Sequence, residues 1–144
     1  AWTHFLSAEQ FHLKESLLEN YIDNKDFGFH LVIGSAGTGK TQILIELAKG
    51  LNVFGLNVIS TFNKGVQTML RSANYKVPGL SPKEQRQKNA IYLLDDPERV
   101  EDITAAYMMA KENDGRGLVV TIDPFQWKNP DAFEEFLTRM SSTQ

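Results

Sequence analysis

Apolar and polar positions along this chain switch period several times. Ser7 to Asn20 carry Phe11, Leu13, Leu17 and Leu18 among polar residues at helical spacing, and Ser7 with Gln10 fits a capping box. Phe29 to Ile33 form an apolar, β-prone run, and Gln42 to Lys49 return to helical spacing. Asn57 to Phe62 predict a second strand and Lys64 to Arg71 a short helix. Asn74 to Lys88 hold Pro78, Gly79 and Pro82 and predict a loop with at most one helical turn. Ala90 to Leu94 predict a third strand. Pro97 to Lys111 predict a helix with Pro97 in its first turn, where a missing N–H costs nothing. Leu118 to Ile122 and Asp131 to Met140 complete the series as strand and helix. Strands alternating with helices predict an α/β fold: a parallel sheet with helices on both faces, three layers deep. Its chemistry is expected at the C-terminal ends of the strands.

Composition narrows the picture. The 144 residues suit one domain spanning 1–144, with 42% hydrophobic and 23% charged residues as in ordinary globular proteins. No apolar run reaches the roughly 18 residues of a membrane span, and the first residues do not resemble a signal peptide. Cysteine is absent, which excludes disulfides and thiolate metal sites and fits a cytoplasmic setting. The net charge of −3 argues against strong autonomous DNA binding, because such binders are usually basic.

The most specific chemistry lies between the first strand and its helix. Gly34, Ser35, Ala36, Gly37, Thr38, Gly39, Lys40 and Thr41 fill every fixed position of the phosphate-binding pattern G-x-x-x-x-G-K-[ST]. Glycines let backbone N–H groups curl around a phosphate, and the helix N-terminus adds partial positive charge there. Lys40 is expected at the β- and γ-phosphates of ATP and the Thr41 hydroxyl on Mg²⁺, with Gln42 completing the nucleotide-binding segment. The alternative is an incidental glycine-rich turn.

Other candidates are each weaker alone. Asp95 and Asp96 end the third strand, where a carboxylate can hold Mg²⁺ (Asp95) and a second can orient the attacking water (Asp96); as plain structure they would cap the next helix. Asp123 to Gln126 follow the fourth strand. The Gln126 amide suits both a γ-phosphate oxygen and the attacking water; otherwise this is a surface turn. Thr61, Asn63 and Lys64, with Phe62 among them, suit phosphate contacts and base stacking on single-stranded DNA. The same residues also describe a solvated helix start with Phe62 in the core. Gln10 can pair with adenine through its amide, or be an exposed helix residue.

Taken in order, these segments resemble the first RecA-like domain of superfamily 1 helicases of the UvrD/Rep type. Leu6 to Gln10 are similar to the Q motif, Gly34 to Thr41 to motif I, and Thr61 to Gly65, continuing to Met69 and Arg71, to motif Ia. Asp95 to Glu98 occupy the motif II slot and Asp123 to Gln126 match motif III. The resemblance implies a P-loop NTPase of RecA-like architecture that binds ATP and Mg²⁺ and works on single-stranded DNA. It also implies a second RecA-like domain, supplied in cis or in trans, and an ATP hydrolase that is weak or inactive alone. Four departures stand out. Asp96 and Glu98 replace the usual Glu and Gln of motif II, and Gln42 replaces an Arg. The stretch between motifs Ia and II is too short for the family's 1B insertion, and these 144 residues do not include the second RecA-like domain. A nucleotide-binding module that is not a motor, or a degenerate helicase relative with little hydrolysis, is the alternative. A small-molecule P-loop kinase is a third reading, poorly supported because no arginine-rich lid is visible.

Overall fold

The structure, a computed structural model, describes residues 7–34, 39–80, 88–123, 126 and 130–142. Four parallel strands, β1 (Gly28–Ile33), β2 (Val58–Ser60), β3 (Ile91–Asp95) and β4 (Gly117–Ile122), form one sheet in the order β1-β4-β3-β2. Helices α1 (Ala8–Asp23), α2 (Lys40–Val53) and α3 (Lys64–Ser72) cover one face, and α4 (Val100–Glu112) and α5 (Pro130–Ser142) the other. The fold is the expected three-layer α/β arrangement. No described helix is long and apolar enough to cross a membrane.

Alternation along the central strands builds two cores. Ile91, Leu93 and Val119 pack under α2 with Leu44, Leu47 and Leu51, while Tyr92, Leu94, Leu118, Val120 and Ile122 pack under α4 with Ile103, Ala106 and Ala110. The same alternation carries on to the strand ends. Asp95 and Thr121 therefore follow the α2-side set, and they are direct register partners.

Helix α1 is fixed at both ends. Ser7 caps it, accepting from the Gln10 N–H at 3.2 Å while the Ser7 N–H donates to Gln10 Oε1 at 2.8 Å. At its far end the Arg116 guanidinium donates to the carbonyls of Tyr21 and Asn24, the latter at 2.8 Å. Those carbonyls carry the partial negative charge of a helix C-terminus. We expect Arg116→Ala to lower stability by about 2 kcal/mol, the usual loss for hydrogen bonds from a charged donor, read as a lower urea midpoint with unchanged slope; an unchanged midpoint would show that water replaces the guanidinium at no cost.

Buried Tyr21 sits where β1 and β4 begin. Its hydroxyl is 2.9 Å from both the Gly28 carbonyl and His30 Nδ1. Burial lowers the His30 pKa from the usual histidine range and raises that of Tyr21, so the pair is neutral at pH 7.

The two sheet edges differ. Beside β2, the Ser60 N–H donates to the Pro78 carbonyl at 2.9 Å and Gly79 bridges to Ser60. At the β1 edge, Gly28 and Gly34 donate to Arg116 and Ile122 of the β4 segment, which leaves the N–H and C=O groups of Phe29, Leu31 and Ile33 facing outward.

Two expectations shift by a few residues. β2 ends at Ser60 rather than Phe62, because Phe62 turns into the core and its carbonyl accepts from Gln67 Nε2 at 2.7 Å. α4 starts at Val100 with Arg99 as its N-cap, so Pro97 precedes the helix instead of occupying its first turn.

Candidate functional site

At the C-terminal end of the sheet, the N-cap of α2 is Gly39, whose φ of +79° lies in the left-handed region that favours glycine. Glycine brings no capping side chain of its own, which suits a site whose first-turn N–H groups serve an anion. Gly39, Lys40, Thr41, Asp95, Asp96, Asp123 and Gln126 line a cavity of about 350 Å³. Ser35, Ala36, Gly37 and Thr38 lie outside the described residues.

Lys40 Nζ donates to the Gly34 carbonyl at 2.6 Å, bridging the start and end of the glycine loop. The Thr41 hydroxyl donates to Asp95, 2.9 Å from Oδ2 and 3.2 Å from Oδ1. Asp95 Oδ1 also accepts from the Thr121 hydroxyl at 2.7 Å, and the Asp95 N–H donates to Thr61 Oγ1 at 2.9 Å. Three threonines thus hold one aspartate. Asp96 adopts φ +50° and is exposed, and its N–H lies 3.1 Å from Thr121 Oγ1 and 3.0 Å from the Thr121 carbonyl. A non-glycine residue in this region is uncommon, and such strain collects where side chains are aimed at ligands. With Arg99 as the α4 cap, neither Asp95 nor Asp96 is the N-cap of that helix.

The residues singled out from the sequence separate into three groups. Lys40, Thr41, Asp95, Asp96 and Gln126 meet around the cavity. Gln10 reaches its rim: a Cβ at Gly39 would lie 2.1 Å from Gln10 Nε2. The Gln42 side chain turns away, is buried, and donates to Glu46 Oε1 at 3.1 Å. It lines an adjoining, largely apolar cleft between α2 and α3 that shares Gly39 and Thr41 with the cavity and adds Ile45, Asn63, Val66 and Met69. Asn63 is the N-cap of α3, accepting from the Val66 N–H at 2.9 Å, and Lys64 is exposed at the first turn. Thr61, grouped with them in sequence, spends its hydroxyl oxygen on the Asp95 amide.

Sequence reasoning missed Thr121 and the cavity position of Asp123, which is buried. The available signal was a lone hydroxyl inside the otherwise apolar strand Leu118 to Ile122. A buried hydroxyl needs a partner, and its place near the strand end pointed to the site.

The donor set fits a hard divalent cation. Thr41 and Asp95 offer oxygen ligands, and three carboxylates against Lys40 leave the described lining acidic. The described residues contain no group of three or more acidic or imidazole side chains able to hold a metal unaided. That pattern suits Mg²⁺, which characteristically uses one or two protein oxygens and completes its shell with phosphates and water.

No protein-family model and no curated protein matches the sequence. Among solved structures, the replication initiator DnaA bound to AMPPCP and single-stranded DNA is similar over 93% of this chain and 44% of that one, at 16% identity and a TM-score of 0.52. PCH-2 of C. elegans aligns over 90% of this chain and 37% of that one, at 18% identity and a TM-score of 0.39. The chain spans less than half the length of these structures. The likeness to DnaA concerns the fold. With the parallel four-stranded sheet and its flanking helices, it defines the class: a P-loop α/β domain of RecA-like architecture.

Proposed function

We propose that this chain binds Mg·ATP through Gly34 to Thr41 and is the nucleotide-binding domain of a superfamily 1 helicase-type ATPase. The observation that carries the nucleotide reading is the Thr41 hydroxyl 2.9 Å from Asp95 Oδ2, with Lys40 lining the same cavity. Lys40 exchanges the Gly34 carbonyl for the β- and γ-phosphates, where a charged donor meets a charged acceptor. Thr41 and Asp95 would hold Mg²⁺, which neutralises phosphate charge when bound. Asp96 and Gln126, in the lining of the same cavity, orient the attacking water. Gln10 stands at the rim beside Gly39, where its amide reads adenine.

The helicase part of the reading is supported by the order of the motifs and by exposed Lys64 beside the α2–α3 cleft. DNA phosphates would meet Lys64 there, with Asn63 and Thr61 alongside, and a second RecA-like domain would close over the nucleotide.

Calorimetry of ATP and GTP with and without Mg²⁺ tests this. Mg²⁺ should tighten binding and ATP should be favoured over GTP, with Gln10→Ala removing roughly 1–3 kcal/mol of that preference. Absence of binding at millimolar Mg·ATP would overturn the nucleotide reading. Fluorescence anisotropy with single-stranded DNA tests the other half: binding should weaken steeply with salt and further in Lys64→Ala. Salt-insensitive binding, or none, would remove the helicase part and leave a nucleotide-binding module.

A further inference from the structure

We propose that Thr121 is a positioning residue that presets Asp95, and through it the Thr41 hydroxyl, for the divalent cation. The inference rests on the Mg·ATP reading above and extends it to a residue outside every sequence motif. Thr121 is fully buried in a strand whose neighbours are Leu118, Val119, Val120 and Ile122. Valine would fill this volume and has at least equal β-propensity. A hydroxyl therefore needs a reason, and burying one without partners is costly.

Its partners supply the reason. Thr121 Oγ1 donates to Asp95 Oδ1 at 2.7 Å and lies 3.1 Å from the Asp96 N–H. Its proton is thereby directed at the carboxylate, since the Asp96 N–H can only donate. With Oδ1 held, Oδ2 faces the Thr41 hydroxyl at 2.9 Å. The Thr41 proton is then taken by Asp95, and an oxygen lone pair of Thr41 is left for the cation. One hydroxyl on β4 thus orders a chain running from the Asp96 amide through Asp95 to Thr41. Cross-strand register explains why it falls here: Thr121 is the register partner of Asp95 on β3 and of Val32 on β1. Partners of metal ligands fix their orientation, and their loss characteristically costs 10- to 100-fold in metal affinity.

The test compares wild type, Thr121→Val and Thr121→Ser by titrating Mg²⁺ into protein with a fluorescent ADP analogue. Analogue affinity in EDTA and the melting temperature are measured alongside. The valine variant should need about tenfold more Mg²⁺ for half-saturation, keep wild-type affinity in EDTA, and remain folded. The serine variant, which keeps the hydroxyl, should restore the wild-type Mg²⁺ requirement. Wild-type Mg²⁺ dependence in Thr121→Val would overturn the proposal. So would equal loss of affinity with and without Mg²⁺, which marks a general structural role. Failure of wild type itself to bind the analogue with Mg²⁺ would instead overturn the parent reading, and this one with it.

Discussion

Lys40→Ala should lower affinity for Mg·ATP by about ten- to a hundredfold, the equivalent of 1.5–3 kcal/mol for a hydrogen bond between charged partners. The variant should stay folded. Lys40 is only half-buried, and it donates to the Gly34 carbonyl, away from the cores that hold the sheet to its helices. Calorimetry gives the affinity and circular dichroism the fold. Unchanged affinity would mean that phosphates do not reach Lys40, and an unfolded variant would mean that the Lys40–Gly34 bridge holds more of the domain than its position implies.

Gly117→Ala should be the most damaging single-atom change in the fold. Gly117 pairs with Gly28 in register, and Tyr21 lies across both. A Cβ at Gly117 would stand 2.2 Å from Tyr21 Cε1 and 2.6 Å from the Gly28 carbonyl oxygen. Turning the ring about its own axis gives no relief, because the Tyr21 hydroxyl oxygen would itself lie 2.7 Å from the added Cβ, and the carbonyl belongs to the neighbouring strand. Overpacking of this kind costs about 3 kcal/mol at the upper end of its usual range. The readout is the urea midpoint of the variant against wild type. A shift below about 0.5 kcal/mol, ordinary for an innocuous surface substitution, would show that β1 and β4 separate more easily than their pairing suggests. The contrasting residue is Gly55, where nothing lies near an added Cβ and only its φ of +80° disfavours alanine.

Comparing sequence with structure shows which physical signals are local. Element type and order were legible because period-2 and period-3.6 patterns act over a few residues, and both cores follow from them. The α1 capping box was legible for the same reason, since Ser7 and Gln10 are three residues apart. Pro97 misled because a favourable first-turn residue does not force a helix. The chain leaves β3 through Asp96 at φ +50° and reaches helical geometry only at Val100. Gln42 follows Thr41 directly, yet one residue on a helix turns a side chain by about 100°, enough to face α3 instead of the cavity. Thr121 was legible only as a buried hydroxyl near the strand end, and its partner was not. That partner depends on the register between β3 and β4, strands separated in the chain by α4, and no local pattern encodes the pairing.

The unequal edges of the sheet give the domain a direction of growth. Beside β2, the Pro78–Gly79 segment already occupies the position of a next strand. Beside β1, the outward N–H and C=O groups of Phe29, Leu31 and Ile33 present a regular template flanked by apolar side chains. Among the described residues, the edge with main-chain groups open to further pairing is therefore β1, the strand that feeds the glycine loop. A strand added there would pair with β1 and not with β3, which carries Asp95.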